Sequence, residues 1–279
     1  MPGPVVILGL GYTTQRLARR LLEKRVPVYA GVRDLDRYSE LRNLGAKIRP
    51  LSPEELPKNA AVVHSIPSLP EPEKSAIRNL IRAMTPERIV YISSTGVYGG
   101  ATEVDEETPD APVDEKGRAR VDEERWIERR ENPWSSLILR TAAIYGPGRG
   151  IHLRLREGRL KDGDLPRGAG GIVSRIHVDD LVTHLEAAID SQLYGAWPVA
   201  DECPASSEEV ALWCAREMKL KAPEFPPAGI HGSGRRVDGS KVREVLGIAL
   251  KYPSYRTGIA ASIREEEREL SRPRPQPAS

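Results

Sequence analysis

"VVILGLGYTT", residues 5–14, decides the fold of this 279-residue chain. "VVILG" (5–9) is apolar and largely β-branched, which predicts a buried strand. Leu17, Ala18, Leu21 and Leu22 then fall on one helical face. The turn between strand and helix holds Gly9 and Gly11. A dinucleotide-binding turn needs glycines there. Gly9 permits the tight turn, and Gly11 lets the backbone approach a pyrophosphate with no Cβ in the way. The helix that opens at Tyr12 and Thr13 offers free N–H groups and a positive dipole end to phosphate. Thr14 stands where the usual pattern has its third glycine. Its hydroxyl can donate to phosphate, and its side chain spaces helix from strand. The other reading of the segment is a glycine turn without a ligand.

A second strand, "VPVYAGV" (26–32), is followed by Arg33 and Asp34. An acid at this place binds the ribose 2′-hydroxyl of NAD, whereas an arginine favours the 2′-phosphate of NADP. Arg33 makes NADP the preferred cofactor, and Asp34, one residue on, keeps NAD as the alternative. A solvated strand-end arginine is the bland reading.

Further out the pattern repeats. Strands are expected at 46–51, 60–66, 88–94 and 135–142. Helices are expected around Tyr38, Leu41 and Leu44, at 73–84, and over the charged segment at 117–131. Alternation of strand and helix implies right-handed crossovers and a parallel sheet. Continuous apolar strands agree, because parallel strands are covered on both faces. The fold class is therefore α/β: a doubly wound, Rossmann-type NAD(P)-binding core over 1–150, with a small mixed C-terminal substrate lobe over 151–265. In that lobe Asp179 or Asp180 is expected to cap a helix. Ser206 and Glu209 form a capping box, with Val210, Trp213, Cys214 and Met218 on the buried face. Another helix starts at Ser240. The Pro-rich end, 266–279, reads as a disordered tail.

Composition narrows the partners. Forty-two basic against 40 acidic residues leave a charge of +2, which gives no electrostatic case for nucleic acid. Two cysteines and five histidines show neither a disulfide framework nor metal-ligand spacing, so no metal is expected. "MPGPVVILGLGY" lacks a secretory leader, and its apolar run is too short to span a bilayer. The expectation is a cytoplasmic protein with a small-molecule substrate, acting as monomer or homodimer and away from membranes.

"YISSTGVYGG" (91–100), "LILRTAAIYGPGR" (137–149) and "SRIHVDDL" (174–181) resemble, in their order and spacing, the extended and atypical short-chain dehydrogenase/reductases, the NAD-dependent epimerase/dehydratase group. The resemblance runs from Val5 to about Gly258. It implies a cleft between sheet and lobe. Ser65, Ile66 and Pro67 match the loop along the cofactor's adenosine and ribose. Ser93 and Ser94 match the end of the fifth strand, where the residue at Ser94 hydrogen-bonds the reacting oxygen, with Thr95 beside it. Tyr98 lies just beyond, at the expected edge of the cleft. Thr141 to Ile144 match the segment beside the nicotinamide. Arg175 is placed to meet a substrate anion or to serve as a structural ion pair. His177 and Asp180 read as architecture, a packed histidine and a helix cap. Dimerisation through the helices near 74–84 and 117–131 is a further implication.

Active members carry a Tyr-x-x-x-Lys pair on the helix after the fifth strand, one helical face holding both. The tyrosine transfers a proton, and the lysine orients the ribose and lowers the tyrosine pKa. Here the register reads "KGRAR": Lys116 at the tyrosine, Arg120 at the lysine. No tyrosine occurs from 99 to 144. Arg120 can take over contacts to ribose or phosphate. The candidate proton-transfer set is Ser94, Tyr98 and Lys116, with Tyr145 as another hydroxyl source. The expected function is an NAD(P)-dependent oxidoreductase, epimerase or dehydratase with a non-standard proton transfer. The alternative is a catalytically inactive NADP(H)-binding sensor or scaffold.

Overall fold

Apolar side chains on both faces of a strand demand two covering layers, and the first strand meets that demand. The computed structural model describes residues 3–160, 171–225 and 234–271. In β1 (Val5–Leu8), Val5 and Ile7 pack into one core, and Val6 and Leu8 into the other. The main sheet continues with β2 (Val28–Val32), β3 (Lys47–Pro50), β4 (Ala61–His64), β5 (Arg88–Ser94), β6 (Ser135–Thr141) and β7 (Gly195–Val199). Its order is β7-β6-β5-β4-β1-β2-β3, parallel throughout. The chain winds outward from β1 to β3, then returns to β4 on the other side of β1. Ligands of such sheets bind beyond the carboxyl ends of the strands at this switch point.

The helices are α1 (Tyr12–Glu23), α2 (Ser39–Asn43), α3 (Glu73–Met84), α4 (Glu115–Ile127), α5 (Ile151–Arg156), α6 (Val178–Asp190), α7 (Ser207–Glu217), α8 (Ser240–Leu246) and α9 (Tyr255–Leu270). Leu17 and Leu21 of α1 and Leu181 and Leu185 of α6 cover one face of the sheet. Ile77, Leu80 and Ile81 of α3 and Trp126 and Ile127 of α4 cover the other.

Several expectations are corrected. Leu44 lies past the end of α2 and is half exposed. The boundary at 150 does not separate core from lobe, because β7 and α6, both beyond it, belong to the main sheet and its covering layer. "GAWPV" reads poorly as a strand because it carries Gly195 and Pro198. An edge strand tolerates both, and the other edge strand, β3, likewise holds Pro50. The cap of α6 is His177, whose Nδ1 accepts the Asp179 N–H (3.2 Å), rather than Asp179 or Asp180. The Asp180 carboxylate instead accepts the N–H groups of Lys251 (2.8 Å) and Tyr252 (3.0 Å). Ser206 caps α7 through Glu209 N (2.9 Å), but the Glu209 carboxylate serves Tyr255 and Arg256 rather than closing a box. Trp213 and Met218 are only half-buried beside buried Val210 and Cys214. α9 runs to Leu270 and buries Glu266, so 266–270 are helix rather than tail, while 272–279 lie outside the described residues.

The largest correction concerns α4. Expected over 117–131, it spans Glu115–Ile127, and Asp114 Oδ1 caps it by accepting the Gly117 N–H (2.7 Å). Its charge density predicts a solvated helix, yet Glu123 and Glu124 are buried at 5% and 2% exposure. Glu123 meets Arg78 of α3 (2.8 Å) and His64 of β4 (3.5 Å). Glu124 meets Arg140 of β6 (2.8 Å) and accepts the Ser93 hydroxyl of β5. The partners come from other elements, so the local sequence gives no sign of them. Breaking a buried pair from one side strands the other charge. Glu124→Ala is therefore expected to lose about 3–5 kcal/mol in urea unfolding.

Asp201, just past β7, is 2% exposed. Oδ1 accepts the Cys203 N–H (3.1 Å), and Oδ2 has no partner among the described residues. Burial pushes the carboxyl up to about 7 from 3.8. A raised carboxyl pKa means that the folded state binds the proton more tightly. That contribution is complete below 3.8 and is lost as pH rises to about 7. Asp201→Asn removes the titration. Its stability relative to wild type is expected to climb across that window, by on the order of a few kcal/mol, and to stay level above it. Urea midpoints at pH 5 and pH 8 measure the difference; an equal offset at both values would exclude this titration.

Candidate active site

The turn after β1 is built from hydroxyls as well as glycines. Gly9 has φ +89°, and a Cβ there would lie 3.1 Å from Ile66 Cγ1 and 3.2 Å from Ser65 Oγ. Ser65 Oγ donates to Gly9 O (2.7 Å), and Thr14 Oγ1 donates to the same carbonyl (2.8 Å). Thr14 Oγ1 also accepts the Gly11 N–H (2.8 Å). The Thr14 proton is thus committed to the turn, and its expected donation to phosphate gives way to a structural role. The first helical bond runs from Gln15 N to Gly11 O (3.0 Å). The N–H groups of Tyr12, Thr13 and Thr14 therefore have no intrahelical acceptor.

Gly11 differs from Gly9. Its φ of −93° suits any residue, and a Cβ there would meet no protein atom within 4 Å. Neither strain nor packing asks for glycine. The space left free belongs to a cavity of about 540 Å³ beyond the carboxyl ends of β1, β4, β5 and β6. Gly11, Tyr12, Thr13 and Thr14 form one end of it, and Ser65 and Pro67 one side. Ser93, Ser94 and Thr95, with Thr141 to Ile144, form the other end, and Arg120 of α4 and Arg149 complete the lining. Fourteen of the residues singled out from sequence thus meet at one cavity. Gly9 and Ile66 touch behind its wall, and Arg33 stands exposed at the end of β2, outside the lining.

Two of the three proton-transfer candidates do not reach it. Tyr98 is 1% exposed, packed with Val97, Val104 and Val121, its ring 5.0 Å from the Arg140 guanidinium. Burial pushes its hydroxyl pKa up. Lys116 is exposed and lies outside the lining. Beside it Gly117 is buried, and a Cβ there would come within 2.9 Å of Pro112 and 3.1 Å of Gly96 O. α4 thus turns Gly117 and Arg120 inward and Lys116 outward. Tyr145 is buried against the lobe, its hydroxyl donating to Ser254 O (3.2 Å).

Ser94 is the candidate that lines the cavity. Its Oγ accepts the Gly96 N–H (3.2 Å), which leaves its own proton to donate. Ser93 Oγ is spent on Glu124, and Thr141 Oγ1 on Ser93 O (2.8 Å). The Tyr12 hydroxyl is spent on Pro147 O (2.9 Å), with its pKa raised by burial. Arg175 is buried and donates to Val173 O and Ala205 O (2.8 Å each), an architectural role. The guanidinium groups of Arg120 and Arg149 make no hydrogen bond or ion pair among the described residues.

A broader groove of about 630 Å³ lies by Asp201, but its carboxylates, Glu103, Asp105, Asp201, Glu202 and Asp238, outnumber Arg236 and Arg243. That balance repels phosphate, whereas the smaller cavity holds two free arginines and no carboxylate. Among the described residues no histidine, cysteine and carboxylate cluster could hold a metal ion, and no helix is long and apolar enough to cross a membrane. Sequence reasoning missed Glu124 and Arg149. For Glu124 the only local hint is its i+4 spacing from Arg120; for Arg149 there is none beyond its place in "GPGR".

No family model matches the chain. Protein YeeZ of Escherichia coli K12 is 33% identical over 172 residues, 60% of this chain and 59% of YeeZ, so the chain spans about three fifths of that relative. A 3-diazoavenalumate denitrifying reductase from a Streptomyces species is 30% identical over 143 residues, 45% of this chain and 46% of its own. MoeE5, solved with UDP-glucose and NAD, superposes with TM-score 0.77 at 22% identity, over 96% of this chain and all of its own. A protein of Methylobacillus flagellatus named for the NAD-dependent epimerase/dehydratases gives TM-score 0.79 at 23% identity, over 96% and 100%. At these identities the likeness to the two solved structures is one of fold: a seven-stranded parallel sheet with helices on both faces.

Proposed function

We propose that the chain is a nicotinamide-dependent oxidoreductase that uses NADP(H) in preference to NAD(H) and reduces a small carbonyl-type substrate. The carrying observation is Gly11: its missing Cβ is explained by the cavity and by nothing in the protein. The cofactor's diphosphate would lie at Gly11 and the free N–H groups of Tyr12, Thr13 and Thr14, where the helix dipole favours an anion. Arg33 is exposed with no partner among the described residues, while Asp34 Oδ1 is tied to Asp36 N (3.2 Å). That contrast favours a 2′-phosphate over a free 2′-hydroxyl.

When bound, the nicotinamide supplies hydride. Ser94, with its proton free, donates to the substrate oxygen and stabilises charge as it develops there. Arg120 takes the ribose hydroxyls, the orienting part of the missing lysine's work. No lining side chain among the described residues is a proton donor of useful pKa, so the proton that completes the product oxygen comes from solvent through Ser94. Epimerisation and dehydration begin with removal of a proton by a base, which makes net reduction the better-supported chemistry. The Streptomyces relative is named a reductase, which agrees. The exposure of Lys116 and the burial of Tyr98 also favour a second reading, a cofactor-bound sensor without chemistry.

Gly11→Val is expected to fold normally, because its side chain meets only open space, and to lose NADPH binding in calorimetry. Retained binding would remove the cavity from the cofactor's path. Arg33→Ala is expected to erase the preference for NADPH over NADH, on the order of tenfold. Turnover is read as nicotinamide absorbance across carbonyl and sugar-nucleotide substrates. Ser94→Ala is expected to lower kcat about a hundredfold with KM little changed. No turnover by wild type on any substrate, with binding intact, selects the sensor.

A further inference from the structure

Arg149 has no assigned role, and the structure holds it in an unusual way. It lines the cavity at the start of α1, with its guanidinium 5.4 Å from the ring centroid of Tyr12. The loop that carries it has positive φ at Gly146 (+153°), Gly148 (+76°) and Gly150 (+151°). Gly146 and Arg149 exchange both backbone hydrogen bonds (2.9 Å each), which closes the loop on itself without fixing it to the fold. Glycines at such angles lose much entropy on ordering, so the loop needs outside anchors.

It has two. The Tyr12 hydroxyl donates to Pro147 O (2.9 Å), and the Gly148 N–H donates to Glu266 Oε1 (2.7 Å). Glu266 reaches in from α9 at 6% exposure. The same Oε1 faces His152 Nε2 (3.1 Å), and Arg156 approaches Oε2 to 2.7 Å as an ion pair rather than an aligned hydrogen bond. His152 is fully buried and its Nδ1 has no partner among the described residues, so the tautomer that fits carries its proton on Nε2. Burial lowers the His152 pKa and keeps the ring neutral. Burial pushes the Glu266 carboxyl up, but Gly148 N–H, His152 and Arg156 outweigh it and hold the group ionised.

We propose that Arg149 binds the dinucleotide's diphosphate beside the α1 N-terminus, and that Glu266 is the positioning residue that sets Arg149 there through Gly148. This rests on the dinucleotide reading above. The diphosphate then meets two positive groups side by side, the helix N–H groups and a guanidinium whose loop is anchored by the C-terminal helix.

The test is calorimetry with NADPH and NADH on wild type, Arg149→Ala, Glu266→Gln, Glu266→Ala and the Arg149→Ala/Glu266→Ala double variant. Thermal melts report folding. Each alanine variant is expected to weaken NADPH about tenfold. Glu266→Gln, which keeps an acceptor for Gly148, falls between Glu266→Ala and wild type. The double variant is expected to be no weaker than Arg149→Ala, because Glu266 acts through Arg149. Glu265→Gln, which removes the neighbouring Arg16 ion pair (3.3 Å), is expected to bind as wild type. Unchanged affinity in folded Glu266 variants, or losses that add in the double variant, overturns the proposal. If Glu266→Ala does not fold, Arg149→Ala and Glu266→Gln decide: wild-type affinity in both overturns it. Wild type that binds neither cofactor removes the dinucleotide reading and this one together. Wild type that binds while Arg149→Ala matches it removes this one alone.

Discussion

Glu124 and Arg140 form an ion pair inside the wall of the cavity, and much of the site's geometry follows from it. The pair joins α4 to β6, and the Ser93 hydroxyl on the same carboxylate joins both to β5. Desolvating two charges is costly, so the pair is poor evidence of added stability. Its value is positional, since a buried charge accepts one partner in one place. With α4 fixed at Glu124, the residue one turn earlier, Arg120, is delivered to the cavity. The buried Gly117 face then leaves Lys116 in solvent. Arg140 in turn lies over the ring of Tyr98, which is buried and outside the cavity lining. One salt bridge thereby fixes the face that α4 turns to the cavity.

The rest of the cavity divides its polar groups between structure and ligand. The hydroxyls of Ser65, Thr14, Ser93 and Thr141 are all consumed by neighbouring protein atoms. What remains for a ligand is backbone N–H at α1, the hydroxyls of Ser94, Thr13 and Thr95, and the guanidinium groups of Arg120 and Arg149. That inventory consists of donors and positive charge, with no acceptor side chain of basic character. It suits holding phosphates and polarising an oxygen far better than removing a proton.

The core was legible in the sequence because its signal is local. The apolar runs of β1, β2, β4, β5 and β6 announce strands buried on both faces, and Gly9 and Gly11 mark the turn. The residues around that turn and at the end of β5 accordingly meet at one cavity. What escaped was non-local. The acids of α4 find their counterions on α3, β4 and β6, and no window of sequence holds both members of a pair. β7 escaped because an edge strand may carry glycine and proline that a central strand excludes. His177 displaced the aspartates as cap because its imidazole, packed against Tyr145 and Tyr252, was already in place to accept the Asp179 N–H.

The prolines of the two outer strands have a consequence for how copies of the chain can meet. Pro50 lies in β3 and Pro198 in β7, so each lateral margin of the seven-stranded sheet has lost an amide hydrogen. A strand arriving from another molecule finds an interrupted ladder at either margin. The sheet is thereby finite by sequence, protected from edge-to-edge polymerisation. Any self-association is left to the helical faces, where charge and shape can be selective in a way that a bare backbone ladder is not.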